Sequence, residues 1–541
     1  MDNGRDDLIG QTTSSVSRRN FLSAAAVTAG GGVAISAMTL AGPASAAQAP
    51  AARPEAIQFP KAARGFNQPM RFEANVYDCE IVGKIPSDLS GAYVRVGPEF
   101  YFPQLLPADG AVDGDGFINS YRIKNGRVDY RSRWVKTDRW KNDRAAHRQL
   151  YGNYRNPYTD DPSIRAETIA KPYLRSVANT HIIHNGGKLF ACKEDGPAYQ
   201  MDPKTLDTIG PYSFKGKYDS QTFSAHNKID PVTGDMIAYG YEATGLCSND
   251  LWAYVIDKRG DVRHTWKCKV PQVSMIHDMA LTEKHMIFPF GPYVTNLDWL
   301  KAGNTHWAWD ASKPSMIGIL PRNGDAKDMR WFKGPGRAMV HIVNARTDGD
   351  IVTLYAAFVD GPFGPFNSMF GSLDGTPLPR SGPSKLRKYT FDLGSKADTW
   401  KEEIMWDTAV GDIGRIDDRF TGLSDSRYAY LSTTDASKTS PTAPRGGAAY
   451  ARYDLRTGKT NLYSQGDPGL GECAFVPRKG GKSEGDGYLI GVASNVQEMR
   501  SELVIADAQN LEAGDIARVI LPFRSSGLHG SWINDEDVNF G

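Results

Sequence analysis

The sequence carries no surplus of either charge. Its 541 residues hold 63 Lys and Arg against 62 Asp and Glu, so nothing electrostatic recommends nucleic acid or an anionic membrane as a partner. Cysteine is scarce. The five, Cys79, Cys192, Cys247, Cys268 and Cys473, are odd in number, scattered and set in apolar, strand-like surroundings, which argues against a disulfide framework and against a thiolate metal site. One pair in an oxidising compartment stays open, and the sequence does not name it. Catalytic signatures are missing too: there is no GxSxG and no HExxH. Gly481-Lys482-Ser483 lacks the glycine that a phosphate-binding loop places five residues before Gly481. Asp113-Gly114-Asp115-Gly116 has Ala111 at the first ligand position of a calcium loop and no closing glutamate. Hydrolase, nucleotide and calcium readings therefore rest on nothing specific.

Helical periodicity is scarce as well beyond the N-terminal region. What recurs is a strand, a turn opened by aspartate and a second strand, as in YQMDPKTLDTIGPYSF, NKIDPVTGDMIAYGY, YVIDKRGDVRHTWK and ARYDLRTGKTNLYS. Asp202, Asp230, Asp257, Asp392, Asp454 and Asp507 stand where a carboxylate accepts the turn's backbone N–H groups. The flanking Val, Ile, Tyr, Phe and Trp suit half-buried strands. Such hairpins over the whole length predict an all-β molecule, the blades of a β-propeller, a closure that protects strand edges. Their period is too irregular to count blades. The Gly/Pro-rich run at 361–383 does not read as strand and is expected to cap the active-site face.

Residues 1–46 read as a twin-arginine signal peptide. Ser17-Arg18-Arg19-Asn20-Phe21-Leu22 precedes an uncharged Ala/Gly-rich stretch to Leu40 and the small-residue pattern Ala44-Ser45-Ala46. Export to the periplasm by the twin-arginine machinery follows, with a retained membrane anchor as the alternative. An Ala/Pro-rich flexible leader over 47–65 then joins a single domain over 66–541. That route carries folded proteins, which fits a metal loaded before export.

Of the ten histidines four are set apart by their flanks: His226 in SQTFSAHNKIDP, His277 in VSMIHDMALTE, His341 in RAMVHIVNAR and His529 in SSGLHGSWI. Each follows or sits within a strand-like run, and only a closed repeating architecture brings all four to one point. Imidazole suits iron, copper, zinc and nickel, and four of them fit ferrous iron with positions open for dioxygen better than zinc, which more often takes three protein ligands and water. Any one histidine alone is more often packed or solvated than a ligand.

Their flanks carry a family resemblance. The ordered series IVGKIPSDLSGAYVRVGPEF, YRNPYTDDPSI, SVANTHIIHNGGKLFACKEDGPAYQMDPKTLDT, SQTFSAHNKIDPVTGD, MIHDMALT, KDMRWFKGP, VHIVNA, ECAFVPR, EGDGYLIGV and LPFRSSGLHG, over roughly residues 70–535, resembles the carotenoid cleavage oxygenases. Within them it is similar to the bacterial branch of lignostilbene dioxygenases and isoeugenol monooxygenase. The resemblance implies a seven-bladed β-propeller with capping loops and short helices over the active-site face. It implies Fe(2+) held by His226, His277, His341 and His529, with Glu194, Glu472 and Asp412 accepting hydrogen bonds from three of them. Asp412 stands where the family has glutamate, one methylene short, so a backbone shift or bridging water is expected there. Asn227 replaces a proline, and Ala345-Arg346-Thr347 departs from the acidic residue usual after the Asn-Ala pair.

By the same resemblance, Lys136 in RSRWVKTDRW and Tyr101 in GPEFYFP bind the phenol hydroxyl of the substrate. The implied reaction splits the exocyclic C=C bond of a small apolar phenolic alkene, a hydroxystilbene or a 4-propenylphenol such as isoeugenol, with O2, giving aromatic aldehydes. Apocarotenoid cleavage in a longer tunnel is the alternative, and a non-catalytic periplasmic binding propeller the minor one. The oligomeric state stays open, a homodimer among the options.

Overall fold

The computed structural model describes residues 57–59, 65–106, 111–366, 369–439, 447–466 and 469–541. The signal peptide expected over 1–46 and most of the 47–65 leader lie outside them. Seven antiparallel sheets of four or five strands hold nearly all of the strands among the described residues. In five of them four strands follow one another in sequence, starting from the inner strands His181–Asn185, Lys228–Ile229, Ala280–Leu281, Ile342–Asp348 and Val410–Arg415. These are the second to sixth blades of a propeller.

The first and seventh blades are shared between distant parts of the sequence. Gly91–Glu99, Asp115–Lys124 and Arg127–Trp134 take the C-terminal strand His529–Asn534 as a neighbour, with Val96 opposite His529. The seventh blade, which begins at Gly469–Pro477, takes Glu80–Gly83 on its far edge, Glu80 opposite Ile520. Both seams are closed by ladder hydrogen bonds, so neither sheet is left with an open edge there. Tyr93, Tyr121, Tyr130, Ile490, Leu503 and Ile505 pack between these two blades.

The aspartate turns form as the sequence predicts. Asp202 accepts from Lys204 and Thr205, Asp230 from Val232, Asp257 from Arg259, Asp392 from Gly394, Asp454 from Arg456 and Asp507 from Gln509, at 2.8–3.0 Å. The α-helices among the described residues, Asp138–Ala146, Arg165–Ala170 and Leu297–Lys301, are short and lie in connections. None is long and apolar enough to cross a membrane. In the 361–383 run, Gly371–Ser372 pairs in parallel with Ala308–Trp309, and Phe366 and Phe370 set their rings against Tyr293. Phe288 and Phe290 belong to the core. All five cysteines are unpaired, and burial pushes the Cys473 thiol up to about 12.

Candidate metal centre

The four histidines occupy the same step of the repeat. His226 precedes the inner strand of the third blade by two residues, His277 that of the fourth by three, and His341 abuts that of the fifth. His529 opens the inner strand of the first. All four rings are buried, and one nitrogen from each lies within 4.8 Å of the others. Neighbouring Nε2 atoms are 3.1 Å apart for His226 and His277, 3.1 Å for His277 and His341, and 3.2 Å for His341 and His529.

The remaining three blades supply the acids behind the rings. Glu194 follows strand Lys188–Cys192 of the second blade, held by a bridge between Lys193 and Phe223, and its Oε1 is 2.7 Å from His277 Nδ1. Asp412 of the sixth blade stands 2.5 Å from His341 Nδ1, and Glu472 of the seventh 3.2 Å from His529 Nδ1. Burial works against ionisation of Glu194, yet His277 and the Tyr241 hydroxyl, which donates to its Oε2, hold its carboxyl down at about 2. Glu472 is likewise held low by His529 and Arg415 against its burial. Burial pushes His341 down, but Asp412 more than offsets it, and the imidazole is raised as the carboxyl is lowered.

The short aspartate reaches its histidine directly, with no bridging water needed. Val410 pairs with Thr433 but Gly414 with Leu431, so this strand gains two residues on its partner around Asp412. At Glu472 the gain is one, Leu470 pairing with Ala493 and Cys473 with Gly491. A β-bulge re-aims the residue it carries; the larger bulge makes up the missing methylene.

These bonds decide where the lone pairs point. A carboxylate can only accept, so Nδ1 of His277, His341 and His529 carries the proton and each Nε2 presents a lone pair inward. Facing acceptors 3.1–3.2 Å apart repel unless a cation lies between them. Ligands about 2.1 Å from one ion and at right angles are about 3.0 Å apart, which these spacings match. His226 differs: its Nδ1 is 4.0 Å from Asp278, whose Oδ1 takes Lys228 Nζ and whose Oδ2 takes the Ile342 amide. Burial and the three neighbouring rings hold His226 well below its usual range, as a neutral ligand requires. The residues present thus fit a divalent metal with four imidazole donors.

A fifth ring, His181, touches His226 and His529 but uses both nitrogens elsewhere, Nδ1 on the Ala225 carbonyl at 2.7 Å and Nε2 on Ser531 Oγ at 3.0 Å. It is a packed histidine. Beside it a cavity of about 140 Å³, with Lys228, Arg415 and Asp418 among its walls, reaches His226.

Lys136 and Tyr101 are gathered around Trp140 and Arg144, whose guanidinium lies over both the Trp140 and the Tyr101 rings. The Lys136 amide donates to Thr208 Oγ1 on the far strand of the second blade, and its ammonium lies 5.9 Å from the Trp140 ring. Tyr101 is packed against Trp134 and Phe102, with the Arg144 and Arg71 guanidinia 3.7 and 4.7 Å from its ring centre. A hydrogen bond to Arg144 lowers its phenol.

Two residues that the sequence analysis did not single out, Lys193 and Tyr154, stand beside Glu194. Lys193, next to Glu194, is buried and makes no ion pair; its Nζ donates to the Val112 carbonyl at 3.0 Å and to Asn179 Oδ1 at 2.9 Å, leaving a third N–H. Burial lowers its ammonium. That Nζ lies 4.7 Å from the ring centre of Tyr154, whose buried hydroxyl has no hydrogen-bond partner. Burial, then the Glu194 charge, raises the Tyr154 phenol well above its usual range. Both lie in segments that carry the family resemblance, YRNPYTDDPSI and FACKEDG; the signal was adjacency to Glu194.

Comparison with known proteins agrees with this architecture. The family described as retinal pigment epithelial membrane protein matches residues 67–534. A lignostilbene-alpha,beta-dioxygenase isozyme III of Sphingomonas paucimobilis is 37% identical over 86% of this chain and 96% of its own length. An isoeugenol monooxygenase of Pseudomonas putida is 38% identical over the same shares. The crystal structure of Pseudomonas brassicacearum lignostilbene dioxygenase superposes with a TM-score of 0.82 at 33% identity, covering 88% of this chain and all of that one.

Proposed function

Since the chain belongs to the retinal pigment epithelial membrane protein family, the carotenoid cleavage oxygenases, we propose that it is a ferrous-iron oxygenase splitting the exocyclic C=C bond of a phenolic alkene into two carbonyl products. Relatives named for lignostilbene and isoeugenol support the substrate class. His226, His277, His341 and His529 would hold the iron. Iron bound there supplies the one-electron chemistry that dioxygen needs to react with an alkene.

The protein's own residues do the rest. The observation that carries the phenolic reading is Lys193, a buried ammonium that feels Asp195, Asp113 and Glu194 but makes no direct ion pair among the described residues, one residue from the carboxylate that fixes His277. A phenolate is the partner it lacks. Its third N–H and the Tyr154 hydroxyl receive the substrate oxygen, and a lysine lowered by burial also takes the phenol proton when it binds neutral. Held as phenolate, the ring donates electron density to the conjugated alkene, which is thereby more nucleophilic. Fixing one end of a rigid substrate also fixes the distance of its alkene from the histidines.

The test is aerobic incubation of Fe(II)-loaded protein with 4-hydroxystilbene, 4-methoxystilbene and isoeugenol, reading aldehydes by chromatography and mass. Cleavage of hydroxylated substrates alone is expected; cleavage of apocarotenoids and none of these overturns the phenolic reading. The Arg18-Arg19 motif supports export by the twin-arginine route. Arg18→Lys with Arg19→Lys should then leave the protein in the cytoplasmic fraction.

A further inference from the structure

Three adjacent pairs of residues interlock beside the centre. Tyr154-Arg155 supplies the partnerless hydroxyl and a guanidinium, Lys193-Glu194 the ammonium and the His277 carboxylate, and Tyr241-Glu242 a hydroxyl and a second buried carboxylate. Tyr241 Oη donates to Glu194 Oε2 at 2.5 Å. Arg155 Nη1 donates to the Glu194 carbonyl at 3.2 Å, while its Nη2 meets Glu242 Oε2 at 2.6 Å. His306 closes the circuit, with Nε2 2.9 Å from the same Glu242 oxygen and Nδ1 3.2 Å from the Arg155 carbonyl. The other Glu242 oxygen accepts the Cys247 amide. Arg155 needs this grip, because its backbone is left-handed, φ 53°, a conformation that residues bearing a Cβ rarely adopt.

Glu242 touches neither the four clustered histidines nor the Tyr154 hydroxyl, yet it holds the residue that joins Tyr154 to Glu194. We propose that Glu242 is a positioning residue which, through Arg155, sets the placement of Tyr154 Oη and Lys193 Nζ relative to Glu194, and so the spacing between phenol site and metal site. The inference rests on the phenolic reading above. Loosening Arg155 lets Tyr154 shift while Glu194, still held by His277 and Tyr241, stays. The phenol contact should weaken more than the chemistry at the metal end.

The test is a double-mutant cycle on Fe(II)-loaded protein with 4-hydroxystilbene, using Glu242→Gln, Tyr154→Phe and the pair. Glu242→Gln is expected to raise KM about tenfold and change kcat less than about threefold, and adding Tyr154→Phe should cost less than about twofold more, since both act through one contact. Anaerobic titration, read from the absorbance of the bound hydroxystilbene, should show the same weakening without turnover. Independent, multiplying effects overturn the inference, as does an unchanged KM with only a lowered melting temperature. An unchanged KM in Tyr154→Phe alone fails the phenolic reading itself; a raised KM there with none in Glu242→Gln fails only the positioning role. Should Glu242→Gln not fold, Glu242→Asp, which keeps the charge but withdraws the carboxylate from Arg155 by one methylene, carries the same readings.

Discussion

The metal end and the phenol end of this site are built on opposite terms. Around the histidines most bonds are made: Nδ1 of His277, His341 and His529 each meets a carboxylate, and Asp278 is fixed by Lys228 and the Ile342 amide, with Asn227 Oδ1 beside His226 left over. Around Lys193 the bonding is left incomplete. Tyr154 Oη, Trp307 Nε1 and Asn153 Oδ1 are buried without partners, and the lysine keeps a spare N–H. A buried polar atom without a partner is costly, and in a native protein it asks for a reason. The difference separates a site made for a resident ion from one made for a visitor, which brings the missing partners and takes them away.

The largest effect expected is on the metal end. His341→Ala removes a donor and strands Asp412, so metal content after anaerobic Fe(II) loading should fall to background and cleavage be lost; iron retained in full would break the comparison at its firmer half. Lys193→Met comes next. With similar length and no charge, it should lower kcat/KM for hydroxystilbenes about 100-fold, as for a charge-assisted bond of about 3 kcal/mol, and leave bound iron unchanged. Loss of iron in that variant would show that the two ends are not separate.

Asp412 sharpens the contrast from inside the metal end. Restoring the family's glutamate by Asp412→Glu should lower metal affinity about tenfold, at the low end of what such outer partners contribute, because the two-residue bulge already provides the reach and the added methylene must displace the His341 ring. Competition with a chelator measures it, and a tighter site in Asp412→Glu would show that the bulge does not compensate.

How far the sequence revealed each end follows from what fixes it. The histidines were legible through the resemblance carried by their flanks; the structure adds that each sits just before or at the start of an inner strand, so the repeat that makes the blades also makes the ligand set. The aspartate turns were legible from local residues alone. The phenol end was not. Lys193 and Tyr154 meet across 39 positions of sequence, and what distinguishes them, burial without an ion pair and a hydroxyl without a partner, exists only once the second blade is folded. Nor could the sequence give the bulge at Asp412, a mismatch in register between two strands rather than a property of either.

Lys136→Ala carries the smallest effect and the strictest test of that account. A lysine that binds the phenol oxygen should, when truncated, abolish phenolic cleavage and spare that of a polyene. Lys136 is half-buried, its amide on Thr208 and its ammonium near Trp140, with no hydrogen bond or ion pair from that ammonium among the described residues. A cation over an indole at a partly exposed position is worth roughly 0.5–1 kcal/mol, and that belongs to stability rather than to turnover. Cleavage of 4-hydroxystilbene by Lys136→Ala should therefore stay within about twofold of the parent, with a slightly lower melting temperature. If it collapses while Lys193→Met remains active, the unsatisfied atoms around Tyr154 serve some other visitor, and the phenol is received at Lys136.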